Sequence, residues 1–390
     1  MRVLCVAHSY PRFASDPVGS FVLRLAVALK AQGVETMTLA PAAAGLLADE
    51  SYEGIPVHRY HYAPRSWETL AYTGTMADQV RGGWRAKAAL LGLIWSTRSA
   101  IRTAIHDFKP DVVHAHWWFP GGLSATYAFG PGSPPLVVTS HGSDLVVAAR
   151  TALGARLYRR VARRAAVYTV VSSWLGEQAA ALAPGLAPVV APMPVAGALF
   201  QPGGTRARDQ LLFVGKLNRQ KGFSFLLRAL AAMHHRPMVD VVVGVGSERQ
   251  EAEVEARGLG VADQLRWHPL LEQGALADLY RGCTALIMPA VDEGLGMVAA
   301  EAMLCDMPVI AFASGGLTDV VVPDRTGFLV PAGDVPALAQ SIDRLLDLPD
   351  QGAELGRAGR VSALGRFSPE AAARVYADLY RAACPAPLAG

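Results

Sequence analysis

The chain has 390 residues, a length that favours two domains at roughly 150 residues each. Hydrophobic residues make up 52% and charged residues 18%, and 38 Gly with 26 Pro stay well short of low-complexity composition, so disorder, collagen and disulfide miniproteins are excluded. The net charge of +3 hides an asymmetry, because residues 1–195 carry 18 Lys and Arg against 11 Asp and Glu and the remainder carries 18 against 22.

In chain order, an apolar run at residues 3–7 reads as a buried strand. It is followed by Asp16-Pro-Val-Gly-Ser-Phe21 and a helical pattern over 19–32. Further apolar runs fall at 34–40, 112–115, 136–140 and 166–171, with helical segments at 85–107 and 156–164 among them. Continuous apolar strands separated by helices predict a parallel sheet covered on both faces. Residues 179–200 are uncharged, but Pro184, Pro188, Pro192 and Pro194 would each cost a helix interior about 3 kcal/mol. That stretch reads as a linker with a short strand, not a membrane span.

The rhythm then restarts. Strands are predicted at 211–214, 239–243, 264–267, 285–288, 308–311 and 327–330, and helices at 223–234, 248–257, 276–281 and 297–304. The expected architecture is two doubly wound α/β domains with a boundary near 195. In such sheets ligands bind beyond the carboxyl ends of the strands, so the strand-to-helix loops are where chemistry is sought. The four cysteines are scattered, with no Cys-x-x-Cys pair, which fits a reducing, cytoplasmic setting. The opening residues hold too short an apolar run for a signal peptide. No basic stripe with stacking aromatics marks a nucleic-acid module.

The densest loop is Phe213-Val-Gly-Lys-Leu-Asn-Arg-Gln-Lys-Gly222, where a strand ends and a helix begins. A helix N-terminus is an anion site, and Lys216 and Lys221 beside it suit a diphosphate. The chain has only five lysines, and two of them sit here. A second site is Asp292-Glu-Gly-Leu-Gly-Met-Val-Ala-Ala-Glu301. Glu293 follows a strand, Gly294 and Gly296 allow a ligand close to the backbone, and Glu301 lies about one turn into a helix. The two carboxylates can hold hydroxyls of one extended ligand at two depths. A glycosidase pair fits less well, since eight residues would span ~12 Å if all helical.

These two segments resemble the signature of the retaining GT-B glycosyltransferases of family 4 (glycosyl transferases group 1). The matching parts are Gly215-Lys216-Leu217, Lys221-Gly222, Glu293 to Glu301, Ala302-Met303, Pro308-Val309-Ile310, Gly315-Gly316 and Asp324 to Pro331. The resemblance implies two Rossmann-like domains facing across a cleft. Residues 1–195 would bind the acceptor, residues 196–368 would bind a nucleotide-sugar donor, and a closing helix within 369–390 would return to the front domain. It further implies that Lys216 and Lys221 bind the diphosphate of a UDP- or GDP-sugar and that Glu301 holds the ribose. Glu293 would contact the transferred sugar, while Gly294, Leu295, Gly296, Met297 and Val298 present backbone N–H groups. Gly19 matches the glycine that approaches the phosphates from the front domain. No further cofactor and no metal is implied, and no Asp-x-Asp stands near these loops.

His141, in Val138-Thr-Ser-His-Gly-Ser-Asp-Leu145, matches a histidine beside the sugar and acceptor, with a core or capping histidine as the competing reading. Asp144 is either an N-cap or an acceptor contact. Trp117 and Trp118 line an acceptor pocket or simply pack. His114 and His116 share one face of a strand with no evident thiol or carboxylate neighbour, which disfavours a metal. Gly244-Val-Gly246 lacks the third glycine of a dinucleotide fingerprint. Arg156, Arg159, Arg160, Arg163 and Arg164 fall on one helix face, a solvated surface or a contact for anionic lipid. The function expected is retaining sugar transfer to an acceptor hydroxyl in glycoconjugate, glycolipid or natural-product synthesis. The alternatives are a nucleotide-sugar epimerase of the same fold, or a sugar- or lipid-binding protein without activity.

Overall fold

A computed structural model describes residues 1–13, 16–73, 76–244 and 249–384. The chain divides into two compact units, Met1–Pro194 with Pro369–Gly390, and Val195–Ser368.

The first unit is built on an eight-stranded sheet in the order β3-β4-β2-β1-β5-β6-β7-β8. Its strands are β1 Arg2–Val6, β2 Glu35–Pro41, β3 Asp49–Tyr52, β4 Ile55–Tyr60, β5 Val112–His116, β6 Leu136–Ser140, β7 Val167–Val170 and β8 Val189–Val190. All neighbours are parallel except β3 on β4, so the expectation of a wholly parallel sheet is corrected at this edge. Tyr52 pairs with Ile55, leaving a two-residue turn of Glu53 and Gly54 with φ of 50° and 73°. Two left-handed residues match the right-handed twist of a hairpin.

The second unit carries a parallel six-stranded sheet in the order β11-β10-β9-β12-β13-β14. Its strands are β9 Gln210–Gly215, β10 Met238–Val243, β11 Leu265–His268, β12 Ala285–Met288, β13 Val309–Phe312 and β14 Gly327–Val330. Its core joins Leu211 and Phe213 of β9 to Val239 and Val241 of β10, Ile310 and Phe312 of β13, and the buried faces of helices Phe223–Ala232 and Val335–Asp347.

Strand order reverses between β1 and β5 in the first sheet and between β9 and β12 in the second. At such switch points the flanking loops diverge and open a crevice beyond the carboxyl ends. The loops after β1, β5, β9 and β12 flank these switch points and carry Gly19, Trp117, Trp118, Lys216, Lys221 and Glu293, while His141 and Asp144 follow the neighbouring β6.

Helices that the apolar pattern does not mark include Ser173–Leu182, Val335–Asp347, Ala353–Phe367 and the short Ser143–Ala149. The first begins on a Ser172 cap that accepts from Leu175 N and runs into the stretch read as linker, which is corrected accordingly. The second starts on Asp334, whose side chain accepts from Ala337 N. Helix Pro369–Ala383 packs along helix Ser20–Ala31 in the first unit. Its Tyr380 hydroxyl lies 2.7 Å from His114 Nδ1, and its Tyr376 hydroxyl donates to the Ala191 carbonyl at 3.0 Å. Among the described residues no helix is long and apolar enough to cross a membrane.

Candidate functional site

In the second unit the loop after β9 is shaped by three anchors. Leu217 is buried in the core, the Asn218 side chain accepts from Lys221 N at 2.9 Å, and Gly222 takes φ 70° to open helix Phe223–Ala232. A Cβ on Gly222 would lie 1.9 Å from the Pro289 carbonyl oxygen, so only glycine lets this loop approach the one after β12.

The two loops are then laced together. Val291 N donates to the Gln220 carbonyl at 2.8 Å, and Gln220 Nε2 donates to the Asp292 carbonyl at 3.0 Å. Lys221 lays its stem against Gly215 and places Nζ 2.6 Å from Glu293 Oε2. Lys216 is exposed at the end of β9, beside Gly244. Residues 245–248, which include the rest of Gly244-Val-Gly246 and the start of the helix expected from 248, lie outside the described residues.

Glu293 is fixed by the neighbouring turn. Its carbonyl accepts from Gly316 N at 2.7 Å, and a Cβ on Gly315 would lie 2.2 Å from that same oxygen. Gly296, at φ 94°, opens helix Met297–Leu304, where a Cβ would meet Leu317 Cδ2 at 2.7 Å. First-turn N–H groups, here those of Met297 and Val298, have no carbonyl partner inside a helix and point out of its N-terminus. Leu295 is buried beneath them. Glu301, fifth in this helix, is 9% exposed and accepts from the Tyr280 hydroxyl at 3.1 Å. Burial, with the Glu301 charge adding to it, pushes the Tyr280 phenol well up, so the phenol keeps the proton it donates.

The sequence-predicted residues of this unit therefore separate by depth. Lys221 and Glu293 are in contact, Gly294 to Val298 form the adjoining helix start, Glu301 is held deeper by Tyr280, and Lys216 stands at the exposed strand end.

In the first unit Gly19, at φ 68°, opens helix Ser20–Ala31. Its Cβ position is filled by backbone, with Ser9 O only 2.3 Å away, so this glycine lets the loop after β1 fold onto the helix start. His141 lies at the end of β6 among Trp117 (4.6 Å between ring centres), Phe21 (5.0 Å) and His116 (5.4 Å, stacked). His116 Nδ1 lies 3.3 Å from His141 Nε2. Burial holds these imidazoles neutral: His141 is driven well below its ordinary value, helped by His116 and His8, while His116 falls to about 3 and His8 to about 4.

Two acceptor candidates, Asp144 and Trp118, are engaged by neighbours within the first unit. Asp144 is buried and accepts from Ser140 Oγ at 2.8 Å and from the N–H groups of Trp118, His141 and Gly142 at 3.1 Å each. Burial raises its carboxyl above the usual range against the pull of those four donors. Trp118 is buried, donates its indole N–H to the Asp144 carbonyl at 2.7 Å and packs edge-on to Tyr158. Both are scaffold for the His141 loop. Trp117 faces the histidine cluster, 4.4 Å from the His8 ring.

His8 was missed as a site residue, although its place directly after β1 at a switch point is the available signal. The thiol neighbour that His114 and His116 were thought to lack is Cys5, which pairs with His114 across β1 and β5. Both His114 nitrogens are already engaged, at 2.7 Å from the Tyr380 hydroxyl and 2.7 Å from Thr139 Oγ1, and burial pushes the Cys5 thiol up to about 12, away from the thiolate a metal needs. His234, His235 and Asp343 also converge, but Asp343 caps the backbone of both histidines at 3.3 Å, and His235 Nε2 pairs with Asp347 at 2.9 Å.

Comparisons with known proteins bear on the family and the fold. Residues 200–362 match the family "Glycosyl transferases group 1" and residues 18–194 match "Glycosyl transferase 4-like domain". A D-inositol 3-phosphate glycosyltransferase of Frankia alni is 34% identical over 70% of this chain and 74% of its own length. One from Catenulispora acidiphila is 34% identical over 76% and 78%. Among solved structures, sucrose-phosphate synthase from Thermosynechococcus elongatus superposes with a TM-score of 0.80 at 22% identity, over 97% of this chain and 98% of that one. Anabaena HepE, solved with UDP and glucose, gives 0.73 at 17% identity over 98% and 99%. The two α/β units are those of the GT-B architecture, and the chain belongs to the group 1 glycosyltransferases of family 4.

Proposed function

We propose that the protein transfers a sugar from a nucleoside diphosphate, UDP or GDP, to an acceptor hydroxyl with the anomeric configuration kept. The observation that carries this reading is the Lys221–Glu293 contact at 2.6 Å beside the start of helix Met297–Leu304. It puts a cation, a hydrogen-bond acceptor and a helix dipole around one point at the sheet's switch.

In this reading Lys221 turns from Glu293 to the donor diphosphate, with Lys216 arriving from the strand end. The departing nucleoside diphosphate gains negative charge as the glycosidic bond breaks, and preorganised cations and N–H groups aimed at that charge lower the barrier. The N–H groups from Gly294 to Val298 serve the same charge. Freed of the ammonium, Glu293 accepts from a hydroxyl of the transferred sugar. Glu301, oriented by Tyr280, accepts from the ribose hydroxyls. Gly19 keeps the loop after β1 close to its helix start, and neutral His141 offers a ring nitrogen to the sugar or acceptor. The acceptor hydroxyl attacks on the face the leaving group vacates, and a donor phosphate oxygen takes its proton.

Support for the donor class comes from HepE, solved with UDP-glucose, and from Arabidopsis starch synthase IV, solved with ADP. The curated relatives make inositol 3-phosphate the first acceptor to try. The test is incubation with UDP- and GDP-sugars and an acceptor panel, with the product anomer read by NMR. The expected result is an acceptor-dependent glycoside of unchanged configuration that persists in EDTA. An inverted anomer, or conversion of the donor alone, overturns the reading.

A further inference from the structure

Helix Trp84–Phe108 has two contrasting faces. Ala89, Leu93, Thr97, Ile101 and Ala104 lie on the side packed into the first unit and are all buried. At ~100° per residue, Trp84, Leu91, Trp95, Arg98 and Arg102 fall opposite them within an arc of about 60°. The outward stripe of a helix in a soluble domain is ordinarily polar. Here Trp84, Leu91 and Trp95 are 66%, 61% and 60% exposed.

This stripe is continuous with the arginine face of helix Ala152–Arg164. The Arg98 guanidinium lies 5.1 Å from the Trp95 ring, and its Nε donates to the Tyr127 carbonyl at 2.9 Å. Arg102 donates to the Ala128 carbonyl at 3.0 Å. From the other side, Arg160 stands 5.3 Å over the Tyr127 ring and Arg164 stands 5.1 Å over Phe129. Arg156, Arg159 and Arg163 are exposed on the same helix. At the far end of the stripe, Trp67 and Trp84 meet edge to face at 5.3 Å with Arg85 beside both.

We propose that this face docks the protein on an anionic lipid bilayer, with Trp84, Leu91 and Trp95 entering the headgroup boundary and Arg98, Arg160, Arg163 and Arg164 meeting lipid phosphates. Indoles prefer the membrane–water boundary, where the ring is half apolar and the N–H stays wet. Guanidinium groups bind phosphate oxygens in pairs. A two-part signal, apolar insertion plus basic attraction, is what stable peripheral binding requires. A second copy of the chain fits less well, because a symmetric contact would set the two arginine faces against each other. A nucleic acid would leave Leu91, between the two indoles, without a partner. The proposal goes beyond the sugar-transfer reading and does not depend on it.

The test is cosedimentation of the full chain with vesicles of phosphatidylcholine alone and of an equimolar mixture with phosphatidylglycerol. The wild type is expected to pellet with the mixed vesicles only, with a blue-shifted tryptophan emission that brominated phosphatidylcholine in the same vesicles quenches. Trp84→Ser with Trp95→Ser, and separately Arg160→Glu with Arg164→Glu, should each weaken binding at least about ten-fold while melting temperatures stay within a few degrees. Equal binding to neutral vesicles, no binding to mixed vesicles, or emission that brominated lipid leaves unquenched overturns the proposal. So does a concentration-dependent dimer that the tryptophan variant abolishes without any lipid binding.

Discussion

Lys221 Nζ lies 2.6 Å from Glu293 Oε2, and this pair ties the loop after β9 to the loop after β12. With side chains 21% and 15% exposed, the ion pair is neither fully solvated nor sealed off. Each partner satisfies the other, and in the proposed reaction a diphosphate would compete for the lysine while a sugar hydroxyl would compete for the carboxylate. Lys221→Ala is expected to reduce kcat by about 10²–10³, the size of effect seen when one preorganised donor to a developing anion is removed. Glu293→Gln keeps the volume and should reduce activity with little change in melting temperature. Steady-state kinetics and thermal melts on both variants check this.

Tyr280→Phe removes the hydroxyl that orients Glu301 and nothing else of size. One hydrogen bond is worth about 1 kcal/mol, so nucleotide affinity should fall about five-fold. Calorimetric titration with UDP and GDP measures it, and an unchanged affinity for either nucleotide would detach Glu301 from the donor.

Gly315→Ala would push a Cβ to within 2.2 Å of the Glu293 carbonyl oxygen, in a backbone conformation with φ 60°. The expected loss is more than about 2 kcal/mol of stability, together with a misplaced Glu293. Gly33→Ala is the control, because its φ of 77° carries the same strain while nothing lies within 4 Å of the new Cβ. Denaturant melts of the two variants separate strain from clash.

Asp144→Ala would strand three N–H groups and leave the Ser140 hydroxyl with Tyr168 alone, and should destabilise the first unit by about 3 kcal/mol or more. Nucleotide affinity should be unchanged in the fraction that remains folded. A scaffold residue and an acceptor ligand give opposite results here, since a ligand would lower activity without lowering the melting temperature.

The buried histidines make stability depend on acidity. His116 titrates at about 3 in the fold and near 6.5 in the unfolded chain, so between those values the unfolded state binds the extra proton. Stability is therefore complete above about pH 6.5 and declines as pH falls toward 3, at up to about 1.4 kcal/mol per pH unit for each such group. His8 adds the same trend down to about 4. Melting temperatures from pH 7 to 4.5 should fall, and His116→Gln should flatten the slope.

Most strands were legible because both faces of each are covered, which leaves an unbroken apolar run. β6, β12 and β14 fall where the runs place them. The hairpin of β3 and β4 was not legible, since Asp49–Tyr52 is half solvated and the Glu53-Gly54 turn lacks the usual Asn or Asp. Helix Ala353–Phe367 buries Gly356, Gly359 and Ala363, side chains too small to mark an apolar face, and only its last residue, Phe367, is large and buried. Within the site, Lys216, Lys221, Glu293 and Glu301 stand out by residue type at strand ends and helix starts. Tyr280 and Cys5 do not, because one reaches Glu301 between helices and the other His114 across the sheet, and no spacing along the chain encodes that. The same limit explains Asp144 and Trp118, whose fourfold acceptance and buried indole are visible only once the β5 and β6 loops are side by side.

The most direct measurement is calorimetric titration of the wild type and Lys221→Ala with UDP, GDP and ADP. One nucleotide should bind the wild type with a single-site stoichiometry and the variant at least ten-fold more weakly, about 1.4 kcal/mol, with both proteins equally folded. Binding that is indifferent to Lys221, or no binding of any nucleoside diphosphate, would contradict the assignment of the β9 and β12 loops as the donor site.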